Sequence, residues 1–310
     1  MNSRIYSSKM IESMRSHLDN TVSRFITYPK FVFLCGKAYE NGEYDETNRG
    51  VTHKYLRHKS DDIFIVLSEK LWEDSFDSNI DLLTFEEFLA EVSDSIILFV
   101  ESPGSFCELG AFAYAEKLFS DKLLIVIDEK YRGDKSFIIT GPTAKALKDG
   151  AKVVYAPLDG SGLLSRFELR SALDDKIQDF QSKSYVQNKR TPNQDNEKVL
   201  VNSFILELLE LIKILQPITK KDLIEVYKLV KEFSSFSFVK KDGEAFHNEI
   251  KIDYIFKLLQ TVELIDIKDN IVTSNQTKSQ ALMFTYSKKA ENQERNKLLC
   301  RKFRYRGPVL

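Results

Sequence analysis

Residues Ile96–Ala113 read IILFVESPGSFCELGAFA, and this stretch decides the predicted fold. The apolar run Ile96–Val100 is typical of a strand that is buried on both faces of a parallel sheet. Pro103 and Gly104 then predict a tight loop, and the small residues from Phe106 onward predict a helix. This arrangement directs backbone N–H groups and the positive end of a helix dipole toward the carboxyl edge of the sheet. Ligands of open α/β sheets bind at that edge.

Glu108 lies in the first turn of the predicted helix, and two compatible interpretations apply to it. In the first, Ser105 is the N-cap and Glu108 completes a capping box of the S-x-x-E type. In the second, the helix N-terminus lowers the pKa of the Glu108 carboxyl and keeps it ionised. An ionised carboxylate in a dry cleft is suited to attack a sugar C1′ or to stabilise the cation that develops there. The local pattern alone leaves the catalytic interpretation open beside the capping one.

Other buried strands alternate with helices along the same part of the chain. One of these helices, Thr84–Ser93, has Thr84 as its predicted N-cap and an apolar stripe that belongs to the core. Such alternation predicts an α/β fold with a parallel sheet flanked by helices. The additional strands are Phe31–Cys35, Asp62–Leu67, Leu123–Ile127 and Lys152–Tyr155.

Composition divides the chain into four parts. Residues 1–180 form the predicted α/β domain, and the stretch 181–197 is polar enough to predict a flexible linker. Residues 198–287 form a smaller, mainly helical domain, and residues 288–310 form a basic tail. Three predicted helices and a hairpin at Asp269-Asn270 are typical of a winged helix, and a generic helical docking domain is the alternative.

The tail interleaves cationic and aromatic side chains. Lys and Arg stand with Phe303 and Tyr305, a mixture suited to contact RNA or single-stranded DNA. A solvated tail is the alternative. The predicted contact residues are Lys297, Arg301, Arg304 and Arg306.

Overall composition limits the class of protein. A net charge of −1 argues against a wholly basic nucleic-acid-binding surface. The three cysteines form no C-x-x-C pattern, which fits a reducing cytosol. The sequence has no signal pattern and no apolar run long enough for a membrane span, so we expect a cytoplasmic protein. Its histidines show no metal-ligand spacing, and neither a metal nor a resident cofactor is expected.

The motif SPGSFCELGAFA, with the upstream LLTFEEFLAE and the first strand FVFLCG, resembles the retron-associated effectors that carry a nucleoside 2-deoxyribosyltransferase-like domain. The resemblance covers about residues 30–145 and extends to the C-terminal half only in general layout. It implies a toxin of an antiphage system whose partners are a reverse transcriptase and its RNA–DNA hybrid. In the wider superfamily the Glu of E-L-G, which is Glu108 here, is the nucleophile toward C1′.

The resemblance also implies residues that contact the substrate beside Glu108. Deoxyribosyltransferases usually carry an Asp six residues before the nucleophile, where Ser102 stands here, and Glu101 is the predicted substitute. This departure affects base exchange more than glycosidic cleavage. Glu69 is a possible second carboxylate, with a solvated side chain beside Trp72 as the alternative. The full predicted set is Gly36, Glu69, Glu101, Ser102, Gly104 and Ser105.

These features together predict an enzyme that cleaves the N-glycosidic bond of a nucleotide. NAD is the favoured substrate on the basis of the resemblance, and it enters as a substrate and not as a cofactor. The alternatives are a deoxyribosyltransferase or glycosidase acting on nucleosides or nucleic acid, and a non-enzymatic module that senses nucleotides. We also expect an oligomer or a higher assembly with the retron partners.

Overall fold

A computed structural model describes residues 8–19, 29–37, 47–72, 80–115, 119–160, 162–179, 188–192, 194–246 and 248–275. The described residues form two compact units, one within Pro29–Lys183 and one that joins residues of Met1–Tyr28 to residues of Ser184–Leu310. Among them, no helix has both the length and the apolar composition needed to cross a bilayer. The predicted basic tail, residues 288–310, lies outside the described residues.

The unit within Pro29–Lys183 is built on a five-stranded parallel sheet, which confirms the predicted α/β fold. The strand order is β2-β1-β3-β4-β5, so the direction of winding reverses between β1 and β3. Each residue of β3 is buried, as the apolar run predicts for a central strand. The strands are β1 (Lys30–Cys35), β2 (Ile63–Val66), β3 (Ser95–Val100), β4 (Leu123–Asp128) and β5 (Lys152–Ala156).

Helices bury apolar side chains against the sheet. Leu34, Ile97 and Phe99 of the sheet belong to one buried cluster. The cluster also contains Leu169 and Leu173, which lie on the last helix of this unit. The helices of the unit are α2 (Asn48–Lys59), α3 (Ser68–Trp72), α4 (Leu82–Val92), α5 (Pro103–Tyr114), α6 (Ala144–Asp149) and α7 (Phe167–Asp179), and α1 (Ser8–Asp19) precedes them in the chain.

Helix α4 begins earlier than the sequence predicts. Asp81 is the N-cap, and its carboxylate accepts a 2.8 Å hydrogen bond from the backbone N–H of Thr84 and a 3.0 Å bond from the Thr84 hydroxyl. Asp is among the strongest N-cap residues and Thr is somewhat weaker. The prediction of Thr84 as the cap was therefore wrong, although the apolar stripe of α4 is buried as expected.

The second unit contains two small sheets and three further helices beside α1. Strands β7, β10 and β9 form an antiparallel sheet, and β6 pairs with β8 in parallel. Asp269 and Asn270 have φ values of 50° and 64°, as a two-residue hairpin turn requires, so the predicted hairpin is confirmed. The elements are β6 (Asn196–Leu200), α8 (Val201–Leu215), β7 (Ile218–Thr219), α9 (Lys220–Lys231), β8 (Ser235–Val239), α10 (Ile252–Thr261), β9 (Ile265–Lys268) and β10 (Ile271–Ser274).

Helix α1 belongs to this second unit, which differs from the predicted domain of residues 1–180. The Arg15 guanidinium donates to the carbonyl oxygens of Val230 at 3.0 Å and Leu229 at 3.1 Å. It also pairs with Glu232 at 3.0 Å. A cation at the carboxyl end of a helix satisfies carbonyls that have no partner within the helix. Arg15 therefore attaches α1 to the end of α9.

The predicted linker 181–197 is not wholly a linker, because Asn188 and Glu197 are buried. The backbone N–H of Asn188 donates to the Glu207 carboxylate at 3.3 Å. Glu207 is itself buried and pairs with Lys231 at 2.8 Å, and it accepts a 2.7 Å bond from the Tyr227 hydroxyl. A polar stretch can pack in this way because buried partners satisfy its hydrogen bonds. Residues 180–187 lie outside the described part of the chain.

Candidate active site

The candidate site lies at the carboxyl edge of the sheet, where β1, β2 and β3 end. Gly36 follows β1, Glu69 lies in α3 directly after β2, and Glu101 follows β3. The strand order reverses between β1 and β3, and a crevice at such a switch point is where open α/β sheets bind ligands. The parallel sheet therefore brings these three predicted residues to one edge.

The turn between β3 and α5 is held by two serines. Ser102 is the N-cap, and its hydroxyl accepts a 3.2 Å hydrogen bond from the Ser105 backbone N–H. The Ser105 hydroxyl accepts bonds of 2.9 Å from the backbone N–H groups of Glu101 and Ser102. Pro103 occupies the first helical position, which suits proline because its fixed φ is helical and no N–H is required there.

This start of the helix overturns the predicted capping box. The box is formed by Ser102 and Ser105, and Glu108 lies in the second turn, away from the free N–H groups of the helix end. Gly104 lies in the first turn and is exposed. The predicted loop at Pro103-Gly104 is therefore part of the helix.

Glu108 is partly buried, and the pKa of its carboxyl is raised, whereas the sequence predicted a lowered pKa. Burial raises the pKa of its carboxyl to about 8, and the negative charge of Glu86 adds to the effect. Arg49 opposes these effects but does not cancel them. Among the described residues no group donates a hydrogen bond to the buried Oε2 atom of Glu108. A buried acceptor without a donor is uncommon in folded proteins and indicates a functional group or a place for a ligand.

Arg49 connects the backbone after β1 to Glu69 of α3, although it was not predicted from the sequence. The guanidinium is buried, and it donates to the carbonyl oxygens of Gly36 at 3.1 Å and Lys37 at 3.4 Å. It also pairs with the Glu69 carboxylate at 2.5 Å. Glu69 is thus the partner of a buried cation, and its own side chain is partly exposed. A signal was present, because Arg in the first turn of a helix opposes the helix dipole and requires another reason to be there.

Glu101 connects three segments of the site. One carboxylate oxygen accepts from the Lys37 backbone N–H at 3.1 Å, and the other accepts from the Asn48 amide at 2.5 Å. The Asn48 side-chain carbonyl in turn accepts from the Gly160 N–H at 2.9 Å. These contacts give Glu101 a part in holding the loops, whereas the resemblance implied a substitute for a catalytic Asp.

Glu86 is a further carboxyl that the sequence analysis placed only within an apolar helix. It is buried, and burial raises the pKa of its carboxyl to about 7. Its position three residues before the buried Leu89 puts it on the inner side of α4. A glutamate at such a position was the available signal, since unpaired Glu is almost never fully buried.

The site therefore combines four carboxyls, those of Glu69, Glu86, Glu101 and Glu108, with the Arg49 guanidinium. Cys35, at the end of β1, is also buried there, and burial together with the charge of Glu108 raises the pKa of its thiol. The acidic groups outnumber the donors, so the site favours a ligand that brings hydroxyl donors or positive charge. Within the described part of the chain, no group of His, Cys, Asp and Glu could hold a metal ion. The predicted nucleic-acid contacts Lys297, Arg301, Arg304 and Arg306 lie outside it.

Gly36→Ala should destabilise the α/β unit by about 2 kcal/mol, since the glycine has a φ of 144° that L side chains rarely adopt. An added Cβ would also lie 3.0 Å from both Glu101 Oε1 and Phe99 Cβ. Urea unfolding of the variant measures the loss.

Gly104→Ala is the matched control for this prediction. A Cβ at Gly104 would meet only the Ser102 hydroxyl, at 3.9 Å, and alanine favours a helix. We expect this variant to be as stable as the wild type or slightly more stable. Equal stability of the two variants would contradict the strain assigned to Gly36.

Comparisons with known proteins identify the family of this chain. Residues 45–267 match a protein family that is described as "STM3845 retron effector protein". An Escherichia coli protein named "Retron Ec73 putative ribosyltransferase/DNA-binding protein" is 30% identical over 223 residues, which cover 69% of this chain and 70% of that protein. A second Escherichia coli protein, named "Retron Ec86 putative ribosyltransferase/DNA-binding protein", is 39% identical over 125 residues, or 40% of this chain and 39% of that protein.

The match to the family includes Arg49, Glu69, Glu101 and Glu108 of the candidate site, and in the second unit it extends into β9. The alignment with this chain covers more than two thirds of the Ec73 protein, so the similarity is not confined to one motif. The chain belongs to the family of retron effector proteins.

Proposed function

We propose that this chain is the toxic effector of a retron antiphage system and that its α/β unit cleaves the N-glycosidic bond of a nucleotide. The observation that carries the proposal is Glu108, a buried carboxyl with a bare Oε2 atom at the switch point of a parallel sheet. The word ribosyltransferase in the names of both relatives supports chemistry at a ribose. Family membership supports the retron setting.

Cleavage breaks the bond between C1′ of the sugar and a ring nitrogen of the base. The electron pair of that bond leaves with the base, and positive charge develops on C1′ and the ring oxygen. A Glu108 carboxylate either bonds to C1′ or stabilises this cation electrostatically. Water then supplies the oxygen at C1′ and releases a proton. Arg49 and Glu101 hold the surrounding loops in place, because each is hydrogen-bonded to backbone groups of Gly36 or Lys37.

The charge of the site supports NAD over a neutral nucleoside. The charges of Glu86 and Glu69 raise the pKa of Glu108, and Arg49, which opposes them, is already paired with Glu69. A cationic group therefore gains more from this site than a neutral one. In NAD the nicotinamide ring carries a positive charge beside the bond that breaks, and it leaves as a neutral molecule.

The test is to measure free base after the purified protein is incubated with NAD and, separately, with 2′-deoxynucleosides. Release of nicotinamide alone is the expected result. Release of a base only from the deoxynucleosides would favour the deoxyribosyltransferase or glycosidase alternative. Binding without release of either base would favour a nucleotide-sensing module. Total NAD in cells, measured after the toxin is triggered, gives the same comparison in the presence of the retron partners.

The second unit is proposed to be a winged helix that docks the effector on its retron partners. Two observations support a winged helix. The elements follow in the order α8, β7, α9, α10, β9, β10, and β7, β10 and β9 form an antiparallel sheet. Strand β8, between α9 and α10, is an addition to the winged-helix layout. On α10, Asp253 pairs with Lys220 of α9 at 3.4 Å. In a winged helix α10 would be the helix that reads bases, and an acidic residue on it favours docking on protein or on an RNA–DNA hybrid over sequence-specific reading of duplex DNA. We further propose that the effector works in the cytoplasm, within an oligomer or higher assembly.

Deletion of Lys288–Leu310 should weaken co-purification with the reverse transcriptase and its RNA–DNA hybrid. Contacts between Lys or Arg and phosphates release counterions, so full-length binding should fall steeply between about 50 and 200 mM salt. The truncated protein should show a weaker salt dependence in the same pull-down assay.

A matched control for the tail is the double variant Glu291→Gln with Glu294→Gln, which keeps every cation of the tail. It should bind at least as well as the wild type. Full and salt-insensitive binding by the truncated protein would contradict a role of the tail in nucleic-acid contact.

A further inference from the structure

Asn48 is a buried amide of the candidate site that the proposed chemistry does not use. It is the first residue of α2, and only 4% of it is exposed. Its Nδ2 atom donates to the Glu101 carboxylate at 2.5 Å, and its Oδ1 atom accepts from the Gly160 backbone N–H at 2.9 Å. Glu101 lies 53 residues further along the chain, and Gly160 lies 112 residues further. One side chain therefore joins three segments that are distant in sequence.

The two neighbours of this amide determine its orientation. An ionised carboxylate can only accept a hydrogen bond, and a backbone N–H can only donate one. The Asn48 amide therefore directs its NH₂ group to Glu101 and its oxygen to Gly160. Asp has the same shape as Asn but carries no donor when it is ionised, so it could not satisfy both neighbours. The hydrogen-bond pattern thus requires a donor and an acceptor on one short side chain.

Glu101 continues these contacts toward β1 and α5. Its second carboxylate oxygen accepts from the Lys37 backbone N–H at 3.1 Å, beyond the end of β1. Its own backbone N–H donates to the Ser105 hydroxyl at 2.9 Å, in the first turn of the helix that carries Glu108. Gly160 follows β5 and has a φ of 74°, which favours glycine at the point of contact. The contacts thus connect the carboxyl ends of β1, β3 and β5.

We propose that Asn48 is a positioning residue that fixes the loops after β1, β3 and β5 as one frame for the substrate. In this frame Glu101 acts through its hydrogen bonds and not through its charge, because both of its carboxylate oxygens already accept from protein donors, one from Lys37 and one from Asn48. The proposal rests on the cleavage proposed for the α/β unit. A displacement of about 1 Å in such a frame can lower a rate by about 10²-fold.

The first test exchanges the two functional groups. Asn48→Asp alone places two carboxylates against each other, and Glu101→Gln alone leaves one donor facing another. Each single variant should lower kcat/KM for NAD by about 10-fold or more. In the double variant, the carboxylate at position 48 accepts from the Gly160 N–H and from the amide at position 101, which in turn accepts from the Lys37 N–H. Each of these hydrogen bonds is kept, so kcat/KM should return to within about threefold of the wild type.

Two other outcomes of this exchange overturn the inference. If the charge of Glu101 acted on the substrate, the double variant would be at least as inactive as Glu101→Gln alone. If Asn48 served stability alone, the single variants would melt at lower temperature and keep the kcat/KM of the wild type while folded. When a single variant does not fold, the double variant still decides, because a frame held by hydrogen bonds should restore both folding and cleavage.

The second test needs no substrate. Asn48→Ala removes the acceptor of the Gly160 N–H, so hydrogen exchange at Gly160 should become about tenfold faster or more. The Gly162 N–H is the internal reference, because it donates to Asp159 at 3.1 Å within the same loop and should exchange at an unchanged rate. Unchanged exchange at Gly160 overturns the inference, whether or not NAD is cleaved. Absence of cleavage by the wild type, with faster exchange at Gly160 in the variant, instead overturns the proposed function.

Discussion

The Glu108→Gln variant should lose glycosidic cleavage by on the order of 10²-fold or more, because one preorganised electrostatic group commonly contributes that much to a rate. Glutamine keeps the size of the side chain and cannot become negatively charged. Nothing then stabilises the cation that develops at C1′. Cells that carry the variant should keep their NAD and survive the trigger, while the protein still assembles with its partners. Free nicotinamide and total NAD in triggered cells are the measurements.

The same variant should change stability in a direction that a capping residue would not. The pKa of Glu108 is raised from an ordinary value of 4.5 to about 8, so the fold favours the neutral carboxyl. This contribution is fully present below about pH 4.5 and is lost as the pH rises through 8. Glutamine resembles the neutral acid at every pH, so the variant should match the wild type near pH 5 and exceed it at pH 8. The gain should be a few kcal/mol.

Thermal unfolding at both pH values provides the control for the loss of activity. A variant that is inactive and yet more stable at pH 8 has lost chemistry and not structure. An N-cap role would instead cost about 1 kcal/mol at both pH values. Wild-type loss of NAD in cells that carry Glu108→Gln would remove Glu108 from the mechanism.

Lys231→Met should destabilise the second unit by about 3–5 kcal/mol, because it leaves the buried Glu207 carboxylate without its cation. The pair is almost inaccessible, with 4% of the Lys231 side chain and 2% of the Glu207 side chain exposed. Tyr227 and Asn188 donate to the same carboxylate but carry no charge. Urea unfolding followed by circular dichroism measures the loss.

Two further variants separate charge from packing in this prediction. Lys228→Met is the matched control, because Lys228 lies on the same helix and pairs with Glu225 at 3.7 Å on a more exposed surface. It should change stability by less than about 1 kcal/mol. The double variant Glu207→Leu with Lys231→Met should recover much of the loss, because apolar residues can replace a buried pair. Equal losses in Lys231→Met and Lys228→Met would contradict the role assigned to the buried pair.

The sheet could be predicted from sequence because its central strands are apolar runs. Such a run is buried only in a sheet that has helices packed on both faces. Ile96–Val100 and Leu123–Ile127 are the clearest cases, and both differ from the observed strands by one residue. The hairpin at Asp269-Asn270 was also predictable, since its turn needs residues that accept positive φ.

The electrostatics of the site could not be predicted in the same way. The cap depends on which of two serines lies closer to the strand, and Ser102 takes that role because Pro103 fits the first helical position. The raised pKa of Glu108 comes first from burial and then from the charge of Glu86, which Arg49 opposes, and both residues lie on helices that are distant in sequence. Burial of Asn188 likewise depends on Glu207, so composition alone indicated a linker there.

The attachment of α1 to α9 has a consequence for the order in which the nascent chain can fold. Arg15 finds its carbonyl partners more than 200 residues later, at Leu229 and Val230. The ribosome releases the whole α/β unit before α9 exists, so that unit can fold first. Until α9 is synthesised, the apolar face of α1 has no partner to cover it. This face includes Met14, which is completely buried in the folded protein. A chain that stops after Lys183 would keep that face exposed and be prone to aggregate.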